Sequence, residues 1–235
     1  MATALKTPSA IFSPGTLRFF HALAQHNSKA WMDEHRDWYR EGVVEPFRAA
    51  LEALAPAVLQ LDTDFEINGR TGTNFSRINR DIRFARDKTP YRTQMYLYFS
   101  TRHTRGGELY LGLSLEGATA GFRVYSMTKD KTSAIEALAR PRVAAKPRWL
   151  AQQKRRLGRR YESYWYTMEK GEWTKHAGWP LDTAEWKKLL AWVVRRKMPP
   201  SAATRPAFAE QIAQIFRDVF PLYQFTSFPD AQHRA

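Results

Sequence analysis

The spacing of apolar residues changes period twice along the chain. In the first third it is helical. Leu17, Phe20, Leu23 and Ala24 share one face of a helix predicted over Thr16 to Gln25, with Ser13-Pro14 as its start. Asn27-Ser28 breaks it. Trp31, His35, Trp38 and Tyr39 fall at helical spacing in a second helix, about Lys29 to Arg40, and read as a core face. A third helix covers roughly Val43 to Gln60, with Val44, Phe47, Leu51, Leu54 and Val58 as its stripe. Pro46 suits its first turn, and Pro56 is expected to kink or shorten it. Leu61 to Gly72 reads as a loop, with a short strand at Phe65 to Ile67.

The period then becomes two. Met95, Leu97 and Phe99 alternate with Tyr96, Tyr98 and Ser100. Leu109, Leu111, Leu113 and Leu115 alternate with Tyr110, Gly112 and Ser114, and Phe122, Val124 and Ser126 with Arg123 and Tyr125. Turns at Arg105-Gly106-Gly107 and Glu116-Gly117 make these strands an antiparallel meander.

From Thr132 the pattern returns to helix, with Ser133 as a cap. An exposed amphipathic helix is predicted over Pro147 to Leu157, a strand over Tyr161 to Met168, and a loop over Gly171 to Pro180. Asp182 or Thr183 caps a helix through about Arg196. There Arg195, Arg196 and Lys197 complement the C-terminal dipole and need no partner, and Pro199-Pro200 ends the element. A last helix runs from Ala207 to Val219, followed by an apolar docking tail, Leu222 to Phe228. The expected class is α+β, with N-terminal helices packed on an antiparallel sheet and further helices after it. A single domain over 14–228 is expected between a loose lead-in, 1–13, and a frayed tail, 229–235.

Composition sharpens this picture. A chain of 235 residues, 43% hydrophobic and 14% aromatic, suits a globular core rather than a disordered chain. It has no cysteine, which excludes disulfides, thiolate metal sites and cysteine nucleophiles, and makes a reducing cytoplasm the simplest location. No apolar run approaches the ~20 residues of a membrane span, and the first residues do not read as a signal peptide. The net charge is +14 and the pI about 10.1. Nucleic acid, an anionic membrane surface or an anionic ligand is the partner such an asymmetry suggests.

The charge concentrates in Phe75 to Thr93, FSRINRDIRFARDKTPYRT. Arg77, Arg80, Arg83, Arg86, Lys88 and Arg92 face only Asp81 and Asp87, with Phe75, Ile78, Ile82, Phe84 and Tyr91 between them. The stretch fits a helix or a strand. The isoleucines and Pro90 favour an extended segment at or near the sheet, closed by a turn at Asp87-Lys88-Thr89-Pro90 in which Asp87 bonds its own following backbone. Guanidinium groups suit phosphate or carboxylate. An anion site of Arg77, Arg80, Arg83, Lys88 and Tyr91 is therefore expected. Asp81 would orient a neighbouring guanidinium, Asp87 would hold Lys88, and both acids are candidate catalytic bases. An internal Arg–Asp network that pins a loop is the structural alternative.

The pattern R-x-x-R-D-x-R-F followed by D-K-T-P-Y, carried here by Arg77, Arg80, Asp81, Arg83, Phe84, Asp87, Lys88, Pro90 and Tyr91, resembles the signature of a bacterial family known as domain of unknown function 2461. Asn27, Trp31 and Met32, with Glu34, His35 and Tyr39, are similar to that family's N-terminal helix. The likeness covers about Phe19 to Leu115 well and weakens beyond. It implies a size and a motif, and no established activity.

A second basic run has no acid between Glu136 and Glu162. Lys154, Arg155, Arg156, Arg159 and Arg160 form its densest part, flanked by Trp149 and Tyr161, a mixture that suits a nucleic-acid backbone and its bases. An exposed helix with a solvated basic face is the alternative. The histidines show no helical metal spacing, and no phosphate loop, serine elbow or dinucleotide fingerprint is present. His35 near Asp33, Glu34 and Asp37 reads as a packed histidine on a solvated face, with a metal or acid–base cluster as the alternative. No metal or cofactor is implied. An anion-binding protein with nucleic acid as favoured ligand is the leading expectation. An enzyme on a phosphorylated or carboxylated small molecule and a structural or interaction protein are the alternatives.

Overall fold

The computed structural model describes residues 10–83, 85–101, 106–126 and 133–229. Residues 1–9 of the lead-in, Phe84, the turn residue Arg105, Thr132 and the tail from 230 lie outside the described residues.

The N-terminal helices follow their apolar stripes. Helix α1 spans Pro14–Gln25, and Ser13 Oγ accepts from the Gly15 amide at its start. Helices α2, Lys29–Glu34, and α3, Arg36–Tyr39, pass through a π-helical turn, Arg40–Val44, into α4, Glu45–Leu61. The expected gap between second and third helices is thus a widened turn of continuous helix. Pro56 does not shorten α4, which ends at Asp62. Phe47, Ala50, Leu51, Leu54 and Val58 are its buried face.

Among the described residues, six antiparallel strands form one sheet in the order β1-β2-β3-β6-β4-β5. They are β1 Gln94–Phe99, β2 Gly107–Ser114, β3 Gly117–Tyr125, β4 Glu162–Glu169, β5 Glu172–Ala177 and β6 Ala191–Met198. The meander of the first three is as the alternation required. Leu97, Phe99, Leu109, Leu111, Phe122 and Val124 all point to one face and are buried.

Later in the chain lie the helix π-turn Ile135–Ala139 and α5 Arg140–Ala145, then α6 Trp149–Leu157, α7 Thr183–Lys188 and α8 Phe208–Ser227. Ser133 Oγ accepts from the Glu136 amide, as the expected cap. Helix α8 lies on the buried face of the sheet, with Phe216 against Phe99 and Tyr223 against Phe122. Among the described residues no helix is long and apolar enough to cross a membrane.

Three expectations are corrected. The helix from Thr183 stops at Lys188, and the residues expected to complete it form β6. Ala191, Trp192, Val193 and Val194 are a continuous apolar run because β6 is central, flanked by β3 and β4 and covered on both sides. Arg195 and Lys197 therefore lie on a strand, and both reach Glu162. Second, the loop expected over Gly171 to Pro180 contains β5, joined to β4 by a two-residue turn at Lys170 (φ 52°) and Gly171 (φ 82°). Positive φ at both positions is the turn that matches strand twist. Third, the expected docking tail is helix. The buried series Ile212, Ile215, Phe216, Val219 and Tyr223 continues through Pro221 to Ser227.

Candidate functional site

The Arg-rich stretch is extended and runs outside β1, the edge strand. Phe75 bridges Leu97, the Ser76 amide donates to the Tyr96 carbonyl (3.0 Å), and the Tyr98 amide donates to the Asn74 carbonyl (2.7 Å). Buried Asn74 fixes the approach. Its Nδ2 donates to the carbonyls of Glu66 (2.7 Å) and Tyr98 (3.0 Å), and its Oδ1 accepts from the Gly69 amide (2.9 Å). The edge of β1 is thereby covered, as an exposed edge must be to avoid pairing with another chain.

From Ile78 the chain makes a hairpin-like excursion and returns at Arg92. The Arg80 amide donates to the Pro90 carbonyl and the Arg92 amide to the Ile78 carbonyl, each at 2.8 Å. Asn27, in the break between α1 and α2, clamps the base. Its Nδ2 donates to the Tyr91 carbonyl (2.9 Å) and its Oδ1 accepts from the Tyr91 amide (3.0 Å).

Within the excursion the charges sort into two groups. Arg80 Nη1 bonds both Asp87 and the Thr89 hydroxyl. Asp87 Oδ1 accepts from the Thr89 amide (2.9 Å), the turn expected for this Asp. That amide, then Arg80 and the Thr89 hydroxyl, hold the Asp87 carboxyl down at about 2. Arg83 forks onto Asp81 through Nε (2.9 Å) and Nη2 (2.7 Å), which lowers the Asp81 pKa. Asp81 thus orients a neighbouring guanidinium, that of Arg83, and Asp87 holds Arg80 rather than Lys88. Lys88 Nζ donates to the carbonyls of Ile82 (3.0 Å) and Arg83 (3.4 Å) inside the loop. Tyr91 is buried beneath it. Both candidate bases are paired and strongly ionised, which makes them weak proton acceptors at neutral pH.

The second group is Arg77 and Arg92, both exposed and without an ion-pair partner among the described residues. They line an open cleft of about 760 Å³ between the Arg stretch and the sheet, with Arg80, Asp81, Tyr96 and Arg123. Arg77 also stands on the rim of a smaller cavity of about 210 Å³, whose floor includes Met32, Phe75, Ile78 and Met95.

The inner wall of the cleft is the sheet face opposite α8. Register places Tyr98, Tyr110, Gly121, Arg195 and Glu162 in one row across it, and Glu108, Arg123, Val193 and Tyr164 in the next. Cross-strand ion pairs hold the cations: Arg123 Nε to Glu108 at 2.7 Å, and Arg195 Nε to Glu162 at 2.5 Å. The Arg123 guanidinium lies 4.4 Å from the Tyr98 ring centre and 5.3 Å from that of Tyr125. Burial works against its charge, but Glu108 and the surrounding tyrosines more than offset that, so its pKa stands above the ordinary value. Desolvation pushes Tyr164 up to about 12 and raises Tyr96, Tyr98 and Tyr110. These hydroxyls stay protonated at physiological pH.

The second basic run does not join this cleft. Trp149 stacks on Phe225 of α8 at 3.8 Å, and Arg156 Nη2 donates to the Asp218 carbonyl (2.5 Å). The run thus sits on the helix-covered side of the sheet. Lys154, Arg155, Arg159 and Arg160 are exposed there. His35 is a packed histidine: its ring stacks on Trp31 (4.2 Å), and Nδ1–H donates to the Trp31 carbonyl (2.8 Å).

Sequence reasoning did not assign Arg92, Arg123 or Arg195 to the site. For Arg123 the signal was the polar side of the alternation in β3; Arg92 stood in the Arg-rich stretch itself, and Arg195 lay in a segment read as helix. They share a surface only once the strands are placed in register.

The fold and cleft define an α+β protein with an arginine-lined groove at one edge of an antiparallel sheet. The chain belongs to the family described as conserved hypothetical protein (DUF2461), whose profile matches residues 15–225. No curated protein and no solved structure matches the chain.

Proposed function

We propose that this protein binds an anionic ligand in the cleft between the Arg-rich stretch and the sheet, and that the ligand is nucleic acid. The observation that carries this is the division of the motif's charges. Arg80, Arg83 and Lys88 are engaged within the excursion, while Arg77 and Arg92 project into the cleft without an ion-pair partner among the described residues. The bound excursion is a rigid mount, and Arg77 and Arg92 are the ligand's donors. A net charge of +14 favours a polyanion over a single small anion and steers it to the surface. A chain without cysteine suits a cytoplasmic setting for such a partner.

A small phosphorylated or carboxylated metabolite is the second reading. It is favoured by the 210 Å³ cavity, which combines an apolar floor with Arg77 on its rim. The test compares labelled oligonucleotides with inorganic phosphate and small carboxylates. Wild type, the Arg77→Ala/Arg92→Ala variant and a variant with reduced charge over residues 154–160 are assayed, each verified as folded. The cleft variant should lose most of the oligonucleotide affinity. Loss only in the 154–160 variant would move the site to α6, and absence of oligonucleotide binding at low salt would remove the nucleic-acid reading.

A further inference from the structure

On the open sheet face a tyrosine and a glycine meet across β1 and β2. Tyr96 lies directly opposite Gly112 in the register of β1 and β2. Its ring lies down over that glycine, since a methyl group on Gly112 would sit 2.5 Å from Tyr96 Cε1. A side chain at position 112 would stand the ring up. Glycine instead lets it lie along the sheet, and Tyr96 is partly buried, with the rest of its surface lining the cleft. Tyr98 stacks beside it, its ring parallel to that of Tyr96 within 9° and 5.9 Å away, and the Arg123 guanidinium lies 5.9 Å from the Tyr96 ring centre. The Tyr96 hydroxyl donates to Gln94 Oε1 (3.2 Å), which fixes the ring's in-plane orientation.

Tyr96 is also where two depressions meet. Tyr96 and Gln94 line both the cleft that holds Arg77 and Arg92 and a smaller hollow of about 160 Å³ that holds Arg195 and Lys197. Cations therefore lie on both sides of a partly buried aromatic ring that lines both depressions. A small anion needs only one of these groups, and a duplex hides its base faces. A chain that alternates phosphates with exposed planar bases matches all three parts, because any base stacks on an aromatic face while its flanking phosphates meet the cations.

We propose that Tyr96 is a stacking platform for a base of single-stranded nucleic acid, with the Arg77–Arg92 cleft and the Arg195–Lys197 hollow taking the phosphates on either side. This deepens the anion-binding reading and rests on it. Glu162 pairs with Arg195 and lies 3.5 Å from Lys197, so that side is the less positive of the two. The strand's main electrostatic anchor is Arg77 and Arg92.

The test uses the full chain and three labelled probes of equal length, about 12 nucleotides: an oligothymidylate, an abasic single strand with the same phosphates, and a duplex. Wild type should bind the oligothymidylate about tenfold more tightly than the abasic strand, as expected for one stacked base, and more tightly than the duplex. Tyr96→Leu should erase the difference between thymidylate and abasic strand, and Tyr96→Phe should keep it. The comparison of probes on wild type does not depend on any variant folding. Equal affinity for the thymidylate and abasic strands, or tighter binding of the duplex, would overturn the platform while leaving the anion cleft standing. Binding of none of the three would overturn both the platform and the nucleic-acid reading on which it rests.

Discussion

Asn27 and Tyr91 are 64 residues apart, and the carboxamide of one brackets the backbone of the other, donating to its carbonyl and accepting from its amide. A side chain thus completes a two-bond pairing of the kind strands make, and it fastens the N-terminal helices to the base of the Arg-rich excursion. Asn27→Ala leaves both Tyr91 groups unpaired in a half-buried site. It should lower the unfolding free energy by about 2 kcal/mol, read by chemical denaturation. Amide exchange at Tyr91 should quicken. Asn27→Asp keeps the acceptor but loses the donor, and should not restore stability at neutral pH.

The Asp87 turn gives a pH signature. Its carboxyl titrates at about 2, below the ordinary 3.8, because the Thr89 amide and then Arg80 stabilise the charged form. A depressed folded-state pKa contributes stability that is present above the unfolded value and lost as pH falls through the folded one. The excursion should therefore hold at pH 5 and loosen between about pH 4 and pH 2. Carboxyl-detected NMR should place the Asp87 midpoint near 2. Arg80→Ala should raise it only part of the way to 3.8, because the Thr89 amide remains.

Arg123 and Glu108 face each other across β2 and β3, with side chains only 19% and 21% exposed. Glu108→Gln strands a mostly buried guanidinium and should cost about 3 kcal/mol. Replacing both together, Glu108→Leu with Arg123→Met, should cost much less, because no charge is then left unpaired. Thermal denaturation of the three proteins reads this directly.

Gly112→Val places a side chain where the Tyr96 ring lies. The ring must stand up or the strands must part, at about 1–3 kcal/mol for overpacking. A crystal structure or aromatic NMR contacts of this variant should show Tyr96 displaced from β2.

The sequence made most of the fold legible where one periodicity ruled. The stripe of α4 and the alternation in β1 to β3 each bury one face, and each was readable. The β6 segment was not, because Trp186, Leu189, Leu190 and Val193 match helical spacing while the run Ala191 to Val194 is apolar for a different reason: burial on both faces of a central strand. The β4–β5 hairpin was hidden because its turn uses Lys170, a residue seldom found at positive φ. The Arg motif was readable as a place but not as a circuit. Which carboxylate holds which cation depends on the path of the excursion, and adjacency suggested Asp87 with Lys88, whereas the loop brings Asp87 to Arg80. The tyrosine–arginine face needed strand register, which joins residues from 96 to 195 in one surface.

The most direct test of the central claim is the salt dependence of oligonucleotide binding. The logarithm of affinity should fall linearly with the logarithm of salt concentration. For a single strand, the slope should shrink by roughly 0.7 for each phosphate contact removed in Arg77→Ala and Arg92→Ala. A wild-type affinity indifferent to salt, or a slope unchanged in both variants, would contradict the assignment of the cleft as the anion site.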